Sequence, residues 1–154
     1  MISLLTGHDA EIGEWVARNL PHIGTRSAFG PYTALGVVRD DMLIAGVIFH
    51  DYQPQFRSMA VGAYAASPAW ATRPVLSAIA AYVFVQKNCE RFEAVTPKKL
   101  RHVRATLERL GFKLEGVKRR AFGTDDACIY GMLRHECRWL KEQDHADAQS
   151  AIAA

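Results

Sequence analysis

This sequence predicts an α/β protein with one mixed sheet flanked by helices, and three observations carry the prediction. The chain of 154 residues is 49% hydrophobic and 23% charged, which suffices for one domain with a sizeable core. Its apolar pattern alternates between strand-like runs and helical stripes in the order helix, three strands, helix, strand, helix, two strands. Residues 96–119 then specify a helix from start to stop and lead straight into a strand.

The elements follow in chain order. Asp9 or His8 precedes the amphipathic stretch Ile12, Trp15, Val16 and Leu20, a first helix that Pro21 ends. Pro21, Gly24, Gly30 and Pro31 mark residues 21–33 as a loop with room for a short helix. Ala34–Arg39 and Met42–His50 are apolar runs separated by Asp40-Asp41, the pattern of a tight hairpin. Tyr52–Phe56, with Pro54, is a connection, and Ser58–Ala65 is a strand carrying small residues. Ser67-Pro68-Ala69-Trp70-Ala71 breaks the pattern ahead of a helix from about Thr72 to Lys87, whose buried stripe is Val75, Leu76, Ile79, Val83 and Phe84.

Phe92–Thr96 is a short strand. Thr96 can cap the next helix with its hydroxyl, and Pro97 suits a first helical position, where a missing N–H costs nothing. Leu100, Val103, Leu107 and Leu110 share one stripe and read as core. Gly111 supplies a left-handed stop, with Phe112 placed to fold back on the last turn. Phe112–Ala121 and Ala127–Arg134 form a closing strand pair in which Gly116 marks a bulge. Trp139 and Leu140 dock on a domain spanning residues 1–141, and residues 142–154 are expected to fray.

Composition narrows the function classes. No apolar run reaches the roughly 18 residues of a membrane span, and Met1-Ile2-Ser3-Leu4-Leu5 lacks the basic start of a secretory signal. Cys89, Cys128 and Cys137 have no Cys-x-x-Cys spacing, which fits neither a disulfide framework nor a zinc site and suits a reducing cytoplasm. His135-Glu136-Cys137 has no matching pair of ligands, so no metal is expected. The net charge of +3 is uneven: residues 87–141 carry 14 Lys or Arg against 7 Asp or Glu, while residues 1–86 carry 5 against 6. The basic half suits a polyanion, whether a phosphate-rich cofactor or nucleic acid. Its short cluster lacks interleaved aromatic residues for stacking bases, so nucleic-acid binding is not expected.

The string Leu-Glu-Arg-Leu-Gly-Phe-Lys-Leu-Glu-Gly-Val-Lys-Arg over residues 107–119, followed by Ile129-Tyr130-Gly131-Met132-Leu133, resembles the C-terminal half of the GNAT superfamily of N-acetyltransferases. It looks most like the branch of ribosomal-protein N-terminal acetyltransferases and their short phage and proteobacterial relatives. The resemblance spans roughly residues 34–134. It implies a mixed central sheet whose two adjacent parallel strands splay apart and admit the pantetheine arm of acetyl-coenzyme A. It also implies acetyl transfer to an amine: a protein N-terminus, a lysine or a small amine. The departures that follow leave a second reading open, a GNAT-fold binding or structural module without turnover, conceivably phage-associated.

In that family the cofactor pyrophosphate sits on backbone N–H groups at the start of the helix after the central strand, where a helix terminus favours an anion. The resemblance places Ala66, Trp70, Ala71, Thr72 and Arg73 there, but the usual glycines are absent, Trp70 occupies the place of one, and Pro74 has no N–H. The Thr72 hydroxyl and the Arg73 guanidinium can replace the lost donors, or Thr72 is simply a cap and Arg73 solvated. Lys98, Lys99 and Arg101 lie where they can meet the cofactor's phosphates. The family's Asn and Tyr in the later helix fall on Leu100 and Leu107, which donate no proton. The strand Arg57–Tyr64 has no carboxylate where many relatives have Glu, so the proton acceptors on offer are His50, Asp51, Tyr64 and Glu93. His50 is the most attractive, since its ordinary pKa lies near neutrality. Whether the protein is a monomer or a homo-oligomer is left open by the sequence.

Overall fold

The computed structural model describes residues 1–141 and 143–144. A seven-stranded mixed sheet runs in the order β1-β2-β3-β4-β5-β7-β6. Its strands are β1 (Ile2–Leu5), β2 (Tyr32–Arg39), β3 (Met42–Gln53), β4 (Ser58–Ala65), β5 (Arg91–Pro97), β6 (Lys113–Phe122) and β7 (Asp125–Leu133). The helices are α1 (Asp9–Arg18), α2 (Arg73–Ala81), which continues as a π-turn over Tyr82–Gln86, and α3 (Arg101–Leu110).

The β2–β3 hairpin closes through Asp40 and Asp41, both left-handed at φ 52 and 62. That pair of positive angles matches the natural twist of the strands, and Asp tolerates it because its short carboxylate bonds locally. Of the neighbouring strand pairs, β4 and β5 alone run parallel, joined by the α2 crossover; the rest are antiparallel.

The sheet's two faces are covered differently. On one face α1 packs Ile12, Val16 and Ala17 against Ala34 and Ile48. Gly46 lets it come close: a Cβ there would lie 2.5 Å from Val16 Cγ2. On the other face α2 and its π-turn bury Val75, Ile79, Val83 and Phe84 against Val47, Phe49 and Phe92. Each fully buried aliphatic or aromatic side chain of this kind contributes about 1.5–3 kcal/mol. The buried Arg134 guanidinium donates to the Phe84 carbonyl inside the π-turn.

The C-terminal end of α3 follows expectation. Gly111 takes φ 106, Phe112 is buried, and its N–H returns to the Leu107 carbonyl at 3.0 Å. Trp139 docks through an Nε1–H bond to the Leu110 carbonyl at 2.8 Å, and the register of β6 against β7 shifts between Leu114 and Gly116.

The start of that helix corrects the sequence reading. Thr96 and Pro97 belong to β5, paired with Cys128 and Ala127, and Thr96 is buried. Sheet pairing outweighs the capping signal here. The chain leaves the sheet only after Lys98 N–H binds Asp126 O at 2.8 Å and Lys99 N–H binds Asp125 Oδ2 at 3.1 Å. α3 begins at Arg101 behind Leu100, which offers no side-chain cap. β1 is a second departure: a four-residue edge strand, half exposed, and too short for its alternation to stand out. The expected frayed end falls outside the described residues except for 143–144, where the Asp144 carbonyl accepts from Arg134 at 3.3 Å.

Candidate active site

The parallel pair opens partway along its length. β4 and β5 pair from Ser58↔Arg91 to Val61↔Ala94 and no further, although β4 runs on to Ala65 and β5 to Pro97. Beyond that point β4 stays paired with β3, and β5 with β7. The two strands therefore diverge, and the edge of β4 from Gly62 to Ala65 faces a cleft instead of a neighbour. An extended chain bearing amides can lie along such an edge in the manner of an added strand.

The cleft has a volume of about 570 Å³, within the range of small-molecule sites. Leu100 and, from α3, Val103, Leu107 and Leu110 line it, together with Leu76 and Ile79 of α2 and with Phe84, Phe92, Phe112 and Met132. The assignment of the α3 stripe to the core holds in part: Leu107 and Leu110 pack against the core cluster, and all four stripe residues also line the cleft. No residue of α3 is fully buried. Periodicity does not distinguish a core face from a cavity wall, and this stripe serves as both.

His50, Asp51, Tyr64 and Glu93 all line the cleft. His50, Asp51 and Glu93 form its polar end, while Tyr64 lies four residues further along β4, opposite Gly46. His50, Ala60 and Glu93 are register partners across β3, β4 and β5, so they share one face of the sheet with a small residue in the middle. Asp51 joins them through a bulge: the register shifts between His50 and Gln53, and Asp51 takes φ 53. In a regular strand it would point away from His50. Burial holds the His50 pKa below its ordinary 6.5, against the opposing pull of Asp51 and Glu93. The imidazole is thus neutral at physiological pH and able to take a proton. Tyr64 rests edge-on against Trp15 of α1, with centroids 5.3 Å apart.

Glu93 is held from behind. Arg91 Nη2 lies 2.6 Å from Glu93 Oε1, while its guanidinium grips both oxygens of Glu115 at 2.7 and 2.9 Å. These carboxylates raise the Arg91 pKa further, so the cation is permanent. One arginine shared between two carboxylates leaves this cluster with one net negative charge, to which Asp51 adds another.

The residues expected at the cofactor loop sit otherwise. Trp70 lines the cleft, whereas Ala66, Ala71, Thr72 and Arg73 lie outside its lining. Pro68–Trp70 forms a 3₁₀ turn in which Ala71 N–H bonds Pro68 O at 3.4 Å and Thr72 N–H bonds Trp70 O at 2.9 Å. Those two backbone donors are spent locally. The Thr72 hydroxyl makes no capping bond. With Pro74 lacking an N–H, Arg73 and Val75 present the remaining first-turn donors of α2. The Arg73 guanidinium lies 5.6 Å over the ring of Trp139, which does line the cleft, and Arg138 lies 4.8 Å from the same ring. Arg138 was not singled out from sequence, though a cation next to a tryptophan is a readable signal. Lys98, Lys99 and Arg101 are exposed and outside the lining. His22, which the sequence also did not single out, does line the cleft, its ring 5.2 Å from that of Phe122. Its pKa is lowered by burial and then by Lys99. Glu136 of the His135–Cys137 stretch accepts from Lys113 and from Leu133 N–H, and Cys137 is buried.

Solved structures share this fold. A single-site mutant of SpeG, a spermidine N-acetyltransferase from Vibrio cholerae, superposes with a TM-score of 0.70 at 13% identity, over 92% of this chain and 98% of that one. The fold is the GNAT acetyltransferase fold. Glutamate-to-glutamine mutant forms of the V. cholerae spermidine/spermine N-acetyltransferase superpose at 0.68 with 12% identity, over 88% and 96% of the two chains. An acetyltransferase candidate from T. thermophilus gives 0.66 at 15% identity, over 98% and 93%. No family model matches the chain, and no curated protein matches it. At these identities the likeness carries the GNAT fold alone, and site chemistry rests on the residues themselves. No helix among the described residues is long and apolar enough to cross a membrane.

Proposed function

We propose that the protein transfers an acetyl group from acetyl-coenzyme A to an amine. The observation that carries this reading is the divergence of β4 and β5 after Val61↔Ala94, which opens an apolar cleft ending at His50, Asp51 and Glu93. The pantetheine arm fits the unpaired edge of β4, and its apolar portions fit the α3 wall. Arg73, Arg138 and the N–H groups of Arg73 and Val75 are the donors that would meet its phosphates. Acetyl-coenzyme A supplies the activated thioester when bound.

The chain's own residues supply the rest. Glu93 and Asp51 draw an ammonium into the polar end, and neutral His50 accepts its proton. The freed lone pair attacks the carbonyl; the N–C bond forms, the C–S bond breaks, and the second amine proton passes through water to the leaving thiolate. Apolar walls exclude water and hold the two reactants in line. The test is release of free thiol from acetyl-coenzyme A in the presence of amines, followed with a thiol reagent. Transfer lost in His50→Gln with coenzyme binding retained supports the assignment; no thiol release with any amine refutes it.

A second reading has its own observation. Leu100 and Leu107 face the cleft where a proton donor would sit in the family this chain resembles, which suits a module that binds the coenzyme without turnover. Binding with no transfer would select it.

A further inference from the structure

Basic residues from two distant stretches of the chain meet in one place. Lys98, Lys99 and Arg101 stand at the entry to α3, and Lys118, Arg119 and Arg120 on the far half of β6. The start of β7 ties them together. Asp126 accepts Lys98 N–H at its carbonyl and Arg120 N–H at Oδ1, both at 2.8 Å, while Asp125 Oδ2 accepts Lys99 N–H. All these cationic side chains are exposed, and none forms an ion pair among the described residues. Two aspartates stand in this junction against six cations, so the rim is strongly positive. Lysine on an edge strand discourages edge-to-edge pairing, which accounts for β6 by itself. It does not account for a second cationic cluster on another element lying against it.

The rim adjoins the cleft. Lys99 is close enough to His22 to hold its protonation down, and His22 and Phe122 meet in the cleft lining. Leu100 and His102, on either side of Arg101, line it as well. A substrate leaving the polar end on this side crosses positive ground. Inside lie Asp51 and Glu93, suited to one ammonium; outside lies the reverse charge.

We propose that this rim docks an acidic segment of the acceptor, so that the amine acetylated belongs to a peptide or protein with acidic residues beyond it, and not to a polyamine. This rests on the acetyl-transfer reading for the chemistry, but docking is measured without it. A polycation meets like charge at the entrance, whereas an acidic segment is drawn in and held in register.

The experiment uses two peptides with free N-termini and a C-terminal fluorophore, Ser-Glu-Asp-Glu-Asp-Gly and its neutral twin Ser-Gln-Asn-Gln-Asn-Gly. Anisotropy should give about tenfold tighter binding of the acidic peptide at about 50 mM salt, and most of that preference should vanish at about 300 mM. K118E/R119E/R120E and, separately, K98E/K99E should each abolish the preference, with melting temperatures confirming that both fold. Equal binding of the two peptides overturns the inference. So does tighter binding of a single-stranded oligonucleotide, or a charge reversal that weakens coenzyme A relative to dephospho-coenzyme A while sparing the peptide. In the transfer assay, kcat/KM higher for spermidine than for the acidic peptide also overturns it. Acidic-peptide binding with no transfer to any amine supports the dock and refutes the acetyl-transfer reading.

Discussion

His50 and Glu93 flank Ala60 in a single row across β3, β4 and β5, and both face the cleft where β4 and β5 part. A small residue between a neutral imidazole and an anchored carboxylate leaves space for one amine. In the proposed transfer the carboxylate would attract the ammonium and the imidazole would remove its proton.

His50→Gln should therefore lower kcat by about 10²–10⁴ while leaving coenzyme affinity unchanged, because the imidazole acts on the proton in flight and not on the bound cofactor. Single-turnover thiol release together with a coenzyme titration checks both halves. In the wild type the acid limb of kcat/KM should fall below pH 6.5, since burial depresses the His50 pKa.

Stability should follow pH with a defined sign. His50 and His22 both have folded-state pKa values lowered mainly by burial. Below 6.5 the unfolded chain binds more protons than the folded one, so stability is lost as pH falls through that value toward the folded pKa values, and is regained on raising it. Melting temperatures between about pH 5 and 7.5 should rise with pH, and His50→Gln should flatten part of the slope. A slope unchanged in the variant would mean that His50 does not contribute.

Leu107 separates wall from core. Leu107→Ala should cost only about 1 kcal/mol in denaturant melts, because the side chain is partly exposed on the cleft wall. Leu107→Trp should leave stability nearly intact and obstruct coenzyme binding. A loss of about 2–5 kcal/mol for the alanine variant would return Leu107 to the core.

Gly46→Ala should cost about 1–3 kcal/mol, since the added methyl meets the stiff, buried Val16 side chain and pushes α1 off β3. Gly46 pairs with Tyr64, so the same change should disturb the cleft lining at Tyr64 and raise KM for the amine. Denaturant melts and steady-state kinetics on one preparation test the two effects.

Arg73→Ala should weaken coenzyme A by about 1–3 kcal/mol, the scale of one charge-assisted contact. Arg73→Lys should recover only part of it, because lysine replaces the charge but not the forked donors of the guanidinium that lies 5.6 Å over the Trp139 ring. Calorimetric titration of both variants measures this, and equal affinity in all three proteins would remove Arg73 from the cofactor site.

Local chemistry was legible in the sequence wherever one residue type settles a backbone choice. Asp40-Asp41 signalled the hairpin, Gly111 the end of α3, and Ser58–Ala65 the central strand with the bounds observed. Thr96-Pro97 misled because a cap and a strand end are both served by those residues, and only pairing with β7 decides between them. The α3 stripe was legible only in part for a related reason: a ligand cleft and a core select the same apolar spacing, and this stripe meets both. At the candidate site, His50 and Asp51 beside the central strand and Tyr64 on it were readable as polar residues, and all three line the cleft. The Arg91–Glu93–Glu115 cluster, the Arg73–Trp139–Arg138 stack and the joining of two basic stretches at Asp125 and Asp126 were not. Each depends on contacts between elements that no local spacing encodes.

Calorimetric titration of the wild-type protein with acetyl-coenzyme A, run beside Leu107→Trp, tests the central claim most directly. If the parting of β4 and β5 forms a coenzyme cleft, the wild type should bind saturably with one site per chain, and the tryptophan variant should lose that binding while keeping its melting temperature. No heat of binding at millimolar acetyl-coenzyme A, or equal binding by both proteins, would contradict it.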